Sequence, residues 1–205
     1  TGAVRAIREG VADVLLVGEI RGKTHYMSYW IALKGKPYMC IEDLRGEPIA
    51  FASRTSTSGF LIPMWDLYQK NLITLEGGPE AFFGGGNVYF GIGYVSAVEK
   101  VLNREVEAAA VSYYVLDEAR YLNEGQRSRL KMIAQQGPVA SHTIAVRRSL
   151  KSSDRVAIKR ALLDLNRTRP NLRDKVFNSK LIEVDSMEHL RITREALHLI
   201  SRMKL

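Results

Sequence analysis

Cysteine is nearly absent from this chain, since Cys40 is the only one among 205 residues. A single cysteine excludes an internal disulfide and any cysteine-based metal cluster. Its neighbours Tyr38, Met39 and Ile41 predict a buried thiol on a strand. No apolar run approaches the length that crosses a bilayer, and no signal peptide is visible at Thr1.

Acidic residues are fewer than basic ones, with 22 Asp and Glu against 30 Lys and Arg and a net charge of +8. The basic residues are scattered, and no aromatic residues alternate with them as a single-strand nucleic-acid binder requires. The hydrophobic share of 46% and the charged share of 25% are typical of a soluble globular protein. This composition and length allow one large domain or two small lobes.

The pattern of apolar residues predicts strands that alternate with helices. Predicted strands cover residues 12–17, 26–33, 47–52, 88–90 and 106–111, and predicted helices cover 61–72, 95–102, 155–166 and 186–204. Such alternation favours an α/β fold with largely parallel sheets.

A run of hydroxyl residues, Ser56, Thr57 and Ser58, leads directly into an apolar helix. The first N–H groups of a helix have no internal partner and carry partial positive charge, so hydroxyls there form a donor-rich place for an oxyanion. Gly59 lets the backbone come close to whatever lies above it, and Pro63 falls near the first turn, where a missing N–H costs little. An ordinary helix N-cap is the alternative interpretation of any one of these hydroxyls.

Several segments resemble, in order, the phosphonate- and phosphite-binding members of the periplasmic solute-binding proteins of ABC transporters. The most specific is Thr55-Ser-Thr-Ser-Gly-Phe-Leu-Ile-Pro63, which resembles the family motif Ser-Thr-Ser-Gly-x-x-x-Pro. The others are Ile7-Arg-Glu-Gly-Val-Ala-Asp-Val14, Tyr26-Met-Ser28, the strand region 137–148 and the closing helix 184–197.

This resemblance implies a type II periplasmic-binding-protein fold, with two α/β lobes and a ligand cleft between them. The first lobe is expected to comprise residues 1–46 and 137–205, and the second residues 47–136. By the same resemblance, Ser56, Thr57 and Ser58 with nearby N–H groups hold the phosphoryl oxygens. Tyr26 is expected to donate its phenolic O–H from the other lobe, with simple packing on its strand as the alternative.

The departures from the family bear on the ligand. Tyr94, in Gly93-Tyr-Val-Ser96, replaces a family histidine, and it can still donate to an oxyanion but carries no charge near neutral pH. Tyr114 and His142 fall where members that bind aminoalkyl phosphonates have acidic residues. An ammonium group buried without a carboxylate is costly. We therefore expect phosphate, phosphite, methylphosphonate or an analogue with a neutral tail as ligand, and not 2-aminoethylphosphonate.

The resemblance also implies partners and a location. We expect a small oxyanion ligand, an ABC transporter permease, no nucleic acid, no cofactor or metal, and a monomer. A periplasmic or extracytoplasmic location is expected. The protein could there be anchored to the membrane through a removed N-terminal segment. Compared with the family, a first strand and helix are missing and the connection from Gly18 to Arg21 is short. Either segments lie outside this sequence or the first lobe is reduced.

The sequence has three other functional interpretations. An enzyme is disfavoured because there is no nucleophile elbow, P-loop or HExxH motif. The histidines make no metal-ligand spacing, and His189 and His198 are expected on the surface of the last helix. A sensing ectodomain of the same fold is indistinguishable by sequence, whereas a nucleic-acid module would require salt-dependent DNA binding that we do not expect.

Overall fold

The structure, a computed structural model, describes residues 2–204 of the chain. Its strands are β1 (Ala12–Glu19), β2 (His25–Leu33), β3 (Ile49–Phe51), β4 (Val88–Phe90), β5 (Ala108–Ser112), β6 (Leu130–Ala140), β7 (Thr143–Arg147) and β8 (Lys180–Ile182). Its α-helices are α1 (Gly2–Arg8), α2 (Ile62–Gln69), α3 (Glu80–Phe83), α4 (Tyr94–Leu102), α5 (Tyr113–Asp117), α6 (Glu124–Ser128), α7 (Ser152–Thr168), α8 (Pro170–Phe177), α9 (Ser186–His189) and α10 (Arg191–Arg202). A 3-10 turn covers Glu42–Leu44 and a π-helical turn covers Thr57–Leu61.

The chain forms two compact units. Unit 1 comprises Thr1–Tyr26 and Ala140–Arg194, and unit 2 comprises Met27–Val139 and Glu195–Leu205. The chain therefore passes from one unit to the other within β2, within β6 and within α10.

Unit 2 is built on a five-stranded sheet with the order β4-β3-β5-β2-β6. β3 runs parallel to β4 and β5, with Phe51 opposite Phe90 and Ala110. β2 runs antiparallel to β5, and its register places Ser28 opposite Ser112. Because β3 and β5 are parallel, their carboxyl ends meet at one edge of the sheet, and the loops that follow them start there.

Helices cover both faces of this sheet, as alternating side chains require. Trp30 and Phe51 belong to one core with buried residues of α2 and α3. Ile31, Ala50 and Val111 belong to a second core with α4. All five side chains are at most 1% exposed. A fully buried large apolar side chain contributes about 1.5–3 kcal/mol, so the sheet is a firm support for the loops at its edge.

Unit 1 contains a three-stranded sheet with the order β7-β1-β8, and both pairs are antiparallel. Asp13 on β1 forms ion pairs with Arg148 at 2.8 Å and Arg155 at 2.9 Å. The hydrogen bond from Arg148 is the main reason that the pKa of this carboxyl lies below its ordinary value. Through these pairs, Asp13 ties β1 to α7 and to the segment that follows β7.

The expectation of largely parallel sheets is wrong for unit 1 and for β2. The parallel pairs are β3 with β4 and β3 with β5, whereas β2 and the strands of unit 1 pair antiparallel. Apolar alternation is the same whichever way a strand runs, so it carries no information on direction. Direction is decided by where the chain arrives from: β2 arrives from unit 1 and not through a crossover helix of unit 2.

The connection near Gly18–Arg21 is a tight turn. Ile20 and Lys23 exchange backbone hydrogen bonds of 2.8 and 3.0 Å, and Arg21 and Gly22 between them have positive φ angles of 52° and 75°. This is the backbone of a two-residue hairpin turn, which glycine favours.

Two segments belong to unit 2 because of their contacts with distant parts of the chain. Residues 27–46 belong to unit 2, because β2 lies inside its sheet. Residues 195–205 belong there as well, since Leu199 and Met203 join its core. Neither assignment follows from local periodicity, because each depends on pairing with residues distant in the chain.

Two side-chain expectations are wrong. Cys40 is partly exposed in a loop and not buried on a strand. His189 is only 4% exposed, although it was expected on the surface. His189 is buried because its ring packs against His25, with ring centroids 4.7 Å apart. It ends α9, and the predicted single helix 186–204 is interrupted at Leu190.

Candidate functional site

The hydroxyl turn, residues 56–59, follows β3 in unit 2 and starts a helical segment. Ser56 has an extended backbone, and its Oγ accepts a hydrogen bond from the Gly59 N–H at 2.9 Å. Thr57 is the first residue of the π-helical turn, which continues into α2 with Pro63 in the first turn of that helix. The structure thus places three hydroxyls at a helix start, and Ser56 also has the ordinary role of an N-cap.

Gly59 lies directly against the sheet. A Cβ added to it would fall 2.4 Å from the Ala52 Cβ, 2.9 Å from the Ser56 Oγ and 3.2 Å from the Ala110 carbonyl oxygen. The Ala52 N–H donates to the Gly59 carbonyl at 3.0 Å, which holds the turn in this position. Glycine is therefore required here for close approach, as the sequence predicted.

Tyr94 brings another hydroxyl to this turn. It is the first residue of α4, and its OH lies 3.3 Å from the Ser56 Oγ and 2.5 Å from the Ser58 Oγ. Ser58 is buried, whereas Ser56 and Tyr94 are half-buried. A hydroxyl can rotate to donate or accept, so all three can turn their protons toward one acceptor. Chemically, this cluster is suited to an oxyanion.

Tyr114 extends the cluster on the side of α5. Its ring meets the Tyr94 ring edge to face, with centroids 5.7 Å apart. The Arg120 guanidinium carbon lies 4.9 Å from the Tyr114 ring centroid, within the range of a cation–π interaction. Tyr113 and Tyr121 also contact the Tyr114 ring. The surroundings of Tyr114 are therefore aromatic and include a cation.

The remaining predicted site residues, Tyr26 and His142, belong to unit 1. Tyr26 is half-buried on β2. His142 follows β6, and its ring lies over Gly18, where an added Cβ would fall 2.3 Å from the His142 Cε1. Its Nε2 lies 3.0 Å from the Ser179 Oγ. The ring still reaches solvent, but burial of part of it lowers the His142 pKa and favours the neutral form.

Unit 2 thus holds six of the eight predicted residues: Ser56, Thr57, Ser58, Gly59, Tyr94 and Tyr114. Sequence reasoning missed Ser28, whose Oγ donates to the Ser58 carbonyl oxygen at 2.5 Å, and Gln136, whose Nε2 donates to the Ser28 Oγ at 2.8 Å. Polar residues at buried strand positions were the available signal. That signal becomes visible only once the pairing of the strands is known.

Among residues 2–204, no three His, Cys, Asp or Glu side chains form a group that could hold a metal ion. Over the same part of the chain, every helix is too short or too polar to cross a membrane.

Several solved structures share the fold of this chain. PhnD1 of Prochlorococcus marinus in complex with methylphosphonate superposes with a TM-score of 0.78 at 17% identity, over 98% of this chain and 76% of that chain. XAC2383 of Xanthomonas citri bound to ATP gives a TM-score of 0.78 at 19% identity, with coverage of 98% and 76%. A binding protein component of an ABC phosphonate transporter from Pseudomonas aeruginosa gives 0.73 at 19% identity, with coverage of 98% and 66%. The fold is that of type II periplasmic binding proteins, as predicted.

Sequence comparison then gives the family. Residues 1–187 match the family described as "ABC transporter, phosphonate, periplasmic substrate-binding protein". The chain belongs to this family, and the predicted resemblance is confirmed. No curated protein sequence matches the chain. The family is one of binding proteins that work with a small ligand and an ABC transporter permease, and its location is extracytoplasmic.

Proposed function

We propose that this chain captures a small tetrahedral phosphorus oxyanion for an ABC transporter, and that Ser56, Thr57, Ser58, Gly59 and Tyr94 hold the anion. The single observation that carries this proposal is the convergence of the Ser56, Ser58 and Tyr94 hydroxyls, at 3.3 and 2.5 Å, beside the start of a helix. Each hydroxyl supplies a donor, and the helix start supplies N–H groups with partial positive charge.

Tyr26 and His142 are proposed as further ligand contacts. Their assignment rests on the family resemblance of the segments Tyr26-Met-Ser28 and 137–148. The lowered pKa of His142 favours the neutral imidazole, which can donate one hydrogen bond to an oxyanion. The predicted lobes, residues 1–46 with 137–205 and residues 47–136, remain a proposal about which segments move together on binding.

The ligand is proposed to lack an ammonium group. In unit 2, the guanidinium carbon of Arg120 lies 4.9 Å from the Tyr114 ring centroid, and a cation there repels a ligand ammonium. Phosphate, phosphite and methylphosphonate carry no such group. PhnD1, a protein of similar fold, is in complex with methylphosphonate, which makes this compound the first to test.

A larger phosphate ester is a second candidate. The Tyr114 ring makes edge contacts with the rings of Tyr94, Tyr113 and Tyr121, next to the hydroxyl turn. Aromatic faces and edges of this kind can receive an organic substituent. XAC2383, which shares the fold, is bound to ATP, so a nucleotide belongs in the same ligand screen.

A thermal-shift screen followed by calorimetric titration tests the proposal. The compounds are methylphosphonate, phosphite, phosphate, sulfate, 2-aminoethylphosphonate and ATP. A ligand that binds only the folded state raises the melting temperature by mass action, and a ligand at 100 times its Kd contributes about 2.7 kcal/mol. We expect a shift with at least one phosphorus oxyanion.

Matched variants connect the binding to the hydroxyl turn. Ser58→Ala removes a hydroxyl that touches Tyr94 and should weaken binding, whereas Ser128→Ala removes an exposed hydroxyl of unit 2 and should leave it unchanged. The proposal is refuted if none of the compounds binds, or if Ser58→Ala binds as tightly as the parent. Tighter binding of 2-aminoethylphosphonate than of phosphite or phosphate would refute the expected ligand class.

The remaining parts of the proposal concern how the protein works in the cell. We expect a monomer by light scattering, no DNA binding in fluorescence anisotropy, and ligand recovered chemically unchanged after incubation, since the role is binding and not catalysis. Membrane anchoring through a removed N-terminal segment is tested by fractionating cells that express the natural protein.

A further inference from the structure

Pro63 interrupts the hydrogen-bond pattern of the π-helical turn at Ser58. In the π-helical turn, each carbonyl accepts from the N–H five residues ahead: Leu61 N–H donates to Ser56 and Ile62 N–H donates to Thr57. The next carbonyl belongs to Ser58, and the residue five ahead of it is Pro63, which has no N–H. Ser58 is 0% exposed, so water does not reach this carbonyl.

Ser28, on β2, donates a hydrogen bond to the Ser58 carbonyl. Ser28 Oγ lies 2.5 Å from the Ser58 carbonyl oxygen and 3.1 Å from the Val111 carbonyl oxygen, so its one proton is shared between them. Its own oxygen accepts from the Gln136 Nε2 at 2.8 Å. Ser28 is 0% and Gln136 2% exposed. The Ser58 backbone is therefore tied to β2 and β6 through a hydrogen-bonded chain that solvent does not reach.

We propose that Ser28 and Gln136 are positioning residues for the oxyanion site. They hold the Ser58 backbone from behind, and the Ser58 Oγ thereby meets the Tyr94 OH at 2.5 Å. Neither is proposed to contact the ligand. This role deepens the proposed function, on which it rests. It also accounts for two polar side chains in the interior of the sheet.

The central variant is Ser28→Ala, which removes the hydrogen bond to the Ser58 carbonyl. We expect binding of methylphosphonate to weaken about tenfold in calorimetric titration at a temperature well below the melting point, because the turn loses the buried hydrogen bond that ties it to β2. Ser28→Thr keeps the hydroxyl and should restore most of the affinity. Gln136→Leu, which removes only the second bond in the chain, should weaken binding about threefold.

Ser112→Ala is the matched control. Ser112 lies opposite Ser28 in the β2–β5 register and is also 0% exposed, but its Oγ has no hydrogen-bond partner within residues 2–204. Removing that hydroxyl leaves no group unpaired. We therefore expect Ser112→Ala to bind like the parent protein.

Hydrogen exchange of the backbone over residues 56–64 gives a second readout that does not depend on the ligand. Ser28→Ala should exchange faster there than Ser112→Ala, with unchanged exchange in β3 and β5. The positioning role is overturned if the two alanine variants exchange alike, or if the parent binds methylphosphonate and Ser28→Ala binds it equally well. If the parent does not bind while the exchange difference is found, the proposed ligand fails and the positioning of the turn stands.

Discussion

Replacing Gly59 with alanine tests whether the hydroxyl turn must lie against the sheet. The new Cβ would meet the Ala52 Cβ at 2.4 Å, whereas two carbons rest at about 3.5–4.0 Å. The turn must then move away by about 1 Å. It cannot do so freely, because the Ala52 N–H is bonded to the Gly59 carbonyl at 3.0 Å and the Ala110 carbonyl lies 3.2 Å from the new atom.

The cost follows from these contacts. Overpacking by one methyl group costs about 1–3 kcal/mol, and loss of a buried backbone hydrogen bond adds about 1 kcal/mol. We expect Gly59→Ala to lower the free energy of unfolding by about 2–4 kcal/mol. A typical domain has a free energy of unfolding of about 5–15 kcal/mol, so the variant should still fold. Binding of the oxyanion should weaken as well, because Ser56 and Ser58 move with the turn.

Urea unfolding and calorimetric titration measure the two effects. Gly85→Ala is the control, since nothing lies within 4 Å of its added Cβ and Gly85 is exposed. That variant should stay within about 0.5 kcal/mol of the parent. If Gly59→Ala unfolds and binds like Gly85→Ala, the reasoning from close approach is refuted.

Two further predictions concern single side chains. Tyr94→Phe should weaken oxyanion binding about 10- to 100-fold in titration, since a hydrogen bond to a charged group contributes about 1.5–3 kcal/mol. The control Tyr89→Phe, on the exposed face of β4, should bind like the parent protein. Equal affinities of the two variants would exclude Tyr94 from the site. Burial, with a smaller contribution from the neighbouring His25, lowers the pKa of His189 from 6.5 to about 4. The unfolded chain therefore takes up this proton first, and stability is lost as the pH falls from about 6.5 to about 4, by about 3 kcal/mol in total. In urea unfolding at pH 7 and pH 4.5, His189→Phe should lose less stability than the parent; an identical loss would contradict a buried neutral His189.

The local sequence determined most of what lies close together in the chain. The hydroxyl run with Gly59 and Pro63 predicted a helix start with a close backbone approach, because capping, missing N–H groups and the lack of a Cβ are properties of neighbouring residues. The order of the motifs was sufficient to predict the family, which is confirmed. The elements around β3, β4, α4 and β5 also follow from apolar spacing.

Pairing between distant segments was decided only by the tertiary structure. The direction of β2, the membership of residues 27–46 and 195–205 in unit 2, and the burial of His189 all depend on which strand or ring lies alongside. The hydroxyl turn shows the same division. Its own sequence predicted a place for an anion, but the Ser58 carbonyl accepts a hydrogen bond from Ser28, thirty residues earlier. No local pattern carries that contact, because the sheet alone brings the two serines together.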